Sequence, residues 1–160
     1  MADTLSSAVL RPGVHGDAAG LVALGRAVVP PTYGPVDADY PAFMLEHWWQ
    51  HDRLAASLDA IPHVVADVDG QVVGVANLGR RDDREVMWKL YVHPDHQGRG
   101  LGGRLLAAVE TLVDGDVLWL EHVDGNEPAG AFYRTRGFTE VERVPQPPFP
   151  DDIWMRKILR

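Results

Sequence analysis

Within six residues, Gln97-Gly98-Arg99-Gly100-Leu101-Gly102, the chain places three glycines at the start of a helical stripe. That stripe is Leu101, Leu105, Leu106, Val109, Leu112 and Val113, and Asp114-Gly115 stops it. Glycines there let a backbone close on a ligand with no Cβ in the way. The free N–H groups of a helix start, together with the helix dipole, attract an anion, so a phosphate is the expected ligand. Other readings compete on the residues alone. The segment also suits a flexible strand-to-helix turn. Gly98, Gly100 and Gly103 satisfy Gly-x-Gly-x-x-Gly as well, with Glu121 near the expected acidic position of a dinucleotide fold. In that fold the first glycine directly follows a strand, whereas here His93-Pro94-Asp95-His96-Gln97 intervenes. No Gly-Lys-Ser/Thr follows the glycines, which excludes a nucleotide P-loop.

The flanking pattern predicts what the loop is set into. Ala8-Val9-Leu10 reads as a strand, and Asp17 to Val29 as a helix ended by the stiff Pro30 to Pro35 loop. Ala42 to Leu58 reads as a second helix. The period then changes. His63 to Val68 and Gln71 to Leu78 are rich in β-branched residues and flank Asp69-Gly70, a strong hairpin signal, with Arg84 to Val92 as the next antiparallel partner. After the glycine loop and its helix come a strand over Val117 to His122 and a short helix over Glu127 to Arg136. A strand over Phe138 to Val144, a loop over Pro145 to Pro150 and a last strand over Ile153 to Leu159 complete the chain. The order β-α-α-β-β-β-α-β-α-β-β predicts one α/β domain over residues 1–160, with a mixed sheet of about seven strands and helices on both faces.

Composition narrows the chemistry. The chain has no cysteine, so acyl transfer here must use a hydroxyl, an imidazole or direct attack by the acceptor, and a reducing cytoplasm is the expected location. Met1-Ala2-Asp3-Thr4 lacks the basic flank and apolar core of a signal peptide, and no apolar run approaches a membrane span. A net charge of −8 argues against nucleic acid and favours cationic small molecules.

Two blocks in the expected order carry a resemblance. Leu90-Tyr91-Val92-His93-Pro94-Asp95-His96-Gln97-Gly98-Arg99-Gly100-Leu101-Gly102 resembles motif A of the GNAT (GCN5-related) N-acetyltransferase superfamily. Asn126-Glu127-Pro128-Ala129-Gly130-Ala131-Phe132-Tyr133-Arg134-Thr135-Arg136-Gly137-Phe138 resembles its motif B, and the start Leu10-Arg11-Pro12 with Asp17 is also similar. The resemblance implies the GNAT fold and acetyl-CoA as cofactor. It implies that Leu90, Tyr91 and Val92 meet the pantetheine arm through their backbone. Gln97, Gly98, Arg99, Gly100, Leu101, Gly102 and Gly103 would cradle the pyrophosphate, and Asn126, Ala129, Phe132 and Tyr133 would line the other side.

It further implies an acetyl group passed to a primary amine of a small molecule or peptide, with Tyr133 as general acid. A phenol of pKa about 10 can protonate a thiolate of pKa about 8.5. For the base, Glu85 and His122 compete. Relatives place a glutamate where Val86 stands, so Glu85 is one residue off and needs a bulge to face the site. Acceptor recognition is expected from Tyr33, Phe43, His47, Trp48 and Trp49, with Tyr40 and Phe149 in the same region. Trp48 and Trp49 cannot share one helix face, so one of them is expected at a pocket or a homodimer contact. Asp151 and Asp152 read as a solvated loop. The spacings His47/His51 and His93/His96 have no clear third ligand, and no metal is expected. A non-catalytic module that senses acyl-CoA, and a subunit serving assembly, are the competing functions.

Overall fold

The computed structural model describes residues 7–160, so Met1 to Thr4 lie outside the described residues. Asp69 and Gly70 both take positive φ (51° and 86°), the tight turn their sequence predicts, and join strand β2 (His63–Val68) to β3 (Gln71–Asn77). Strand β1 (Val9–Pro12) pairs with the far edge of β2.

The stretch read as one strand from Arg84 to Val92 is in fact two. Strand β5 (Arg84–Met87) and strand β6 (Leu90–Val92) are separated at Trp88-Lys89 and belong to different sheets. Asn77 makes the break. Its side-chain oxygen accepts the Lys89 N–H at 2.7 Å while its own N–H donates to the Lys89 carbonyl at 3.2 Å. The chain then turns into a strand that the sequence did not suggest, β4 (Gly79–Arg81), which pairs with β5.

Four strands in the order β1-β2-β3-β6 therefore form one antiparallel sheet. The second sheet has the order β4-β5-β7-β9-β8, with β7 (Val117–Val123), β8 (Thr139–Gln146) and β9 (Phe149–Ile158). Its pairing of β5 with β7 is parallel, so this sheet is mixed. The described residues form nine strands, where about seven were expected. The expected Pro145 to Pro150 loop shrinks to Pro147-Pro148, because Gln146 pairs with Phe149 and the Gln146 amide donates to the Pro150 carbonyl at 2.8 Å.

Helix α1 (Ala18–Tyr33) continues through Pro30 and Pro31. Proline's fixed φ suits a helix, and its missing donors fall in the final turn, where the Gly34 N–H still reaches the Pro30 carbonyl at 2.9 Å. The expected second helix is broken into α2 (Tyr40–Trp48) and α3 (His51–Ala60) by an extended Gln50. Trp49 causes the break by turning inward. It is 2% exposed, and a Cβ on Gly25 of α1 would stand 2.5 Å from its ring.

Alternation along β2 and β3, interrupted by a bulge opposite Ala66-Asp67 that turns Val73 to the side opposite Val75, feeds two cores. Val65 and Val75 pack with Leu21, Leu24 and Val28 of α1, whereas Ala66, Val73 and Ala76 pack with Leu101, Leu105 and Val109 of α4 (Leu101–Leu112). Helix α5 (Glu127–Thr135) joins the α4 side through Tyr133. Each fully buried Leu or Val stabilises the fold by roughly 1.5–3 kcal/mol. No described helix is long and apolar enough to cross a membrane.

Candidate active site

Strands β5 and β7 run side by side through Met87 and Leu120, after which β6 leaves to pair with β3. A cavity of about 660 Å³ opens in the fork. The antiparallel ladder decides what β6 presents to it. Val75 pairs with Tyr91, the His93 N–H donates to the Val73 carbonyl, and Lys89 is bonded to Asn77, so these residues use their backbone on the β3 side. The intervening Leu90 and Val92 aim theirs at the fork. The Gln97 side chain donates to the Val92 carbonyl at 2.9 Å, leaving the Val92 N–H toward the cavity.

The glycine segment lines the same cavity through Gln97, Gly98 and Gly100 to Gly103. Gly98 and Gly100 have φ of 76° and 77°, a conformation that side chains strain. Gly100 is the N-cap of α4, no side chain caps it, and so the first N–H groups of the helix have no intrahelical acceptor. The donors suit a diphosphate. Arg99 is exposed and does not line the cavity. Arg136 does, with its guanidinium 3.7 Å over the Phe132 ring. Sequence reasoning missed Arg136, although it stands inside the second block.

The opposite wall is α5. Asn126, Ala129, Phe132 and Tyr133 all line the cavity, and the Asn126 side-chain oxygen caps the helix at the Ala129 N–H, 3.5 Å away. Tyr133 is 8% exposed, packed edge-on against Phe132 and Phe138. Burial, reinforced by Tyr91, holds its hydroxyl protonated far above the usual phenol range. His122 lies on the same side, its ring centroid 6.4 Å from that of Tyr133, and burial lowers its pKa.

Neighbouring side chains on a strand point to opposite faces, so Glu121 faces away from His122 toward Tyr91 and Tyr40. It lines the cavity too. Burial first, then Asp152, raise Glu121 to about 7, against the opposing charge of Arg81. Asp152 belongs to β9 and is not in a solvated loop. Glu121 pairs with Trp154 and Val123 with Asp152, which puts the two carboxylates diagonally on one face. Burial raises Asp152 to about 6. The sequence signal for this pair was absent, because it depends on the register of two strands about thirty residues apart.

Glu85, expected as a candidate base, is placed elsewhere. Its carboxylate accepts the N–H groups of Asp114 and Gly115 at 3.0 and 2.8 Å, at the end of α4, and it does not line the cavity. The β5 register contains no bulge that would turn it, so strand parity prevails. Of the residues expected at the acceptor, Tyr33 lines the cavity. Phe43 stacks on His47, whose ring nitrogen meets the Phe43 carbonyl at 2.8 Å, and neither reaches the cavity. Trp48 is 43% exposed beneath Arg53, and Trp49 is core.

A model of the acetyltransferase (GNAT) domain matches residues 59–140. A mycothiol acetyltransferase of Frankia casuarinae is 30% identical, the alignment covering 94% of this chain and 44% of that protein. The L-amino acid N-acyltransferase MnaT of Escherichia coli is 32% identical over 58% of this chain and 58% of its own length. The chain thus spans about half the length of these curated relatives. Among solved structures, the PaiA N-acetyltransferase of Thermoplasma acidophilum, in complex with coenzyme A, superposes with a TM-score of 0.83 at 19% identity, covering 96% of this chain and 99% of that one.

Proposed function

The chain belongs to the GNAT acetyltransferase family, and from that membership and the forked cavity we propose that it transfers an acetyl group from acetyl-CoA to a primary amine. Acetyl-CoA, when bound, supplies the activated thioester. The N–H groups from Gly98 to Gly103, with Arg136, would hold its pyrophosphate, and the open backbone of Leu90 and Val92 its pantetheine arm. The Val92 N–H would polarise a carbonyl in the fork. Tyr133, kept protonated by burial, would hydrogen-bond the departing thiolate and give it the proton, since the same dry site also raises the proton affinity of a desolvated thiolate.

Glu121 takes the role of base. An alkylamine of pKa about 10.4 is deprotonated at pH 7 at a cost of roughly 4.6 kcal/mol. A carboxylate whose pKa is about 7 accepts that proton far better than an ordinary one. His122 shares the Tyr133 side of β7 and serves to position that side of the cavity. With no cysteine in the chain, the amine attacks directly while both substrates are held together. The cysteine-free composition also fits a reducing cytoplasm.

The observation that carries this reading is that an uncapped glycine helix start and a buried tyrosine hydroxyl line one cavity. Following CoA release across a panel of amines tests it. Amine-dependent release is expected, falling about 10²- to 10⁴-fold in Tyr133→Phe with acetyl-CoA affinity retained. Tight acetyl-CoA binding without release by any amine would identify a sensing module instead.

A further inference from the structure

Three charged groups without an ion-pair contact stand around Trp154, with the charge of Arg81 acting on both carboxylates. The β4–β5 hairpin carries three arginines, and two of them are engaged. Arg80 approaches Glu85 at 3.7 Å, and Arg84 meets Glu142 at 3.0 Å while stacking 3.9 Å over Trp119. Among the described residues, Arg81 has no carboxylate within 4 Å. Its guanidinium lies 5.6 Å over the Trp154 ring instead. Trp154 is 2% exposed, with Trp88, a cavity residue, edge-on to it at 5.9 Å. On the same face stand Glu121 and Asp152, neither of which has a cation within 4 Å among the described residues. Arg81 is exposed, but Glu121 and Asp152 are half-buried, and half-buried carboxylates without a contacting cation are costly unless a ligand completes them.

We propose that the acceptor is an amino-acid zwitterion, its ammonium met by Glu121 and Asp152 and its carboxylate by Arg81 across the Trp154 ring. The proposal rests on the acetyl-transfer reading of the cavity that Glu121 and Trp88 line; Arg81, Asp152 and Trp154 lie beyond its lining. A diamine would satisfy the carboxylates but set its second cation against Arg81. A simple amine would leave Arg81 without a partner. A zwitterion pairs all three groups, and guanidinium is the side chain best shaped to grip a carboxylate through two parallel hydrogen bonds. Glu121 keeps its part as base, because the ammonium it holds is the group to be acetylated.

The test compares an L-amino acid with its carboxamide, its decarboxylated amine and a diamine of similar length, over aliphatic, aromatic and basic side chains. CoA release gives kcat/KM for each. The free acid should exceed its carboxamide about 10- to 100-fold, the scale of a charge-assisted hydrogen-bonded pair, and Arg81→Ala should bring that ratio close to one. Arg81 is exposed, so the variant is expected to fold. Equal rates for acid and carboxamide, or a preference for the diamine, would overturn the zwitterion while acetyl transfer stands. If no amine releases CoA, the acetyl-transfer reading fails separately. Calorimetry of the acid and carboxamide with CoA present then decides: acid-selective binding lost in Arg81→Ala supports the zwitterion site, and unselective binding overturns it.

Discussion

The hydroxyls of Tyr33 and Tyr91 meet at 2.6 Å, the first from the last turn of α1 and the second from β6. This bond ties the helix that continues past its two prolines to the strand whose other edge faces the cavity. Burial pushes Tyr91 up to about 12 and Tyr33 well above its ordinary range, so both stay protonated. Tyr33→Phe should destabilise the protein by about 1 kcal/mol, more if the Tyr91 hydroxyl finds no other partner. Urea unfolding monitored by fluorescence measures it, and an unchanged midpoint would contradict the tie.

Glu121 sets the pH profile in the proposed reaction. The groups facing it are Asp152, Arg81, Tyr40 and Tyr91. The base must lose its proton to act, so kcat/KM should rise with pH through about 7. Glu121→Gln should remove that limb and lower the rate about 10²-fold or more. Stability runs the other way. The folded state holds the Glu121 proton more tightly than the unfolded chain, whose value is near 4.5, so stability declines as pH rises from there through about 7. The variant should therefore be more stable than the parent at pH 8, on the order of 1 kcal/mol, by thermal unfolding at that pH.

For Glu85 the expected sign is opposite. Burial alone would raise its pKa, but the Asp114 and Gly115 N–H groups and Arg80 pull it below the ordinary carboxylate value. Its contribution to stability is complete above pH 4.5 and is lost as pH falls through the lower folded value. Glu85→Ala should cost about 1–3 kcal/mol at pH 7 and leave the shape of the pH–rate profile unaltered. A displaced profile would return Glu85 to the chemistry.

Gly25→Ala probes the helix break. Its new Cβ would fall 2.5 Å from the Trp49 ring, well inside contact distance, and that ring is buried in the core, 2% exposed. A loss of about 1–3 kcal/mol is expected despite alanine's better helix propensity. Calorimetric melting is the measurement, and a stabilised variant would show that Trp49 repacks freely.

Local signals made the hairpin at Asp69-Gly70, the glycine loop and α5 legible, because each is written in adjacent residues whose backbone preferences agree. The fork was not legible. Alternation from Arg84 to Val92 is continuous, and the break at Trp88-Lys89 comes from the Asn77 side chain, a distant residue in the sequence. The separation of α2 from α3 lacks any glycine or proline at Trp49-Gln50 and follows from core packing against Gly25. Strand parity turns the Glu85 carboxylate to the end of α4, away from the cavity lining. Glu121 and Asp152 became neighbours only through the β7–β9 register, and Arg81 only through a three-residue strand that pattern reading passes over.

Tyr91 and His93 donate into a closed ladder, while the amides of Leu90 and Val92 face the fork. Hydrogen–deuterium exchange along these neighbours should thus alternate slow and fast, residue by residue, within a single short strand. Whatever fills the fork will be recorded as the slowing of two named amides, a signal that needs neither turnover nor knowledge of the acceptor.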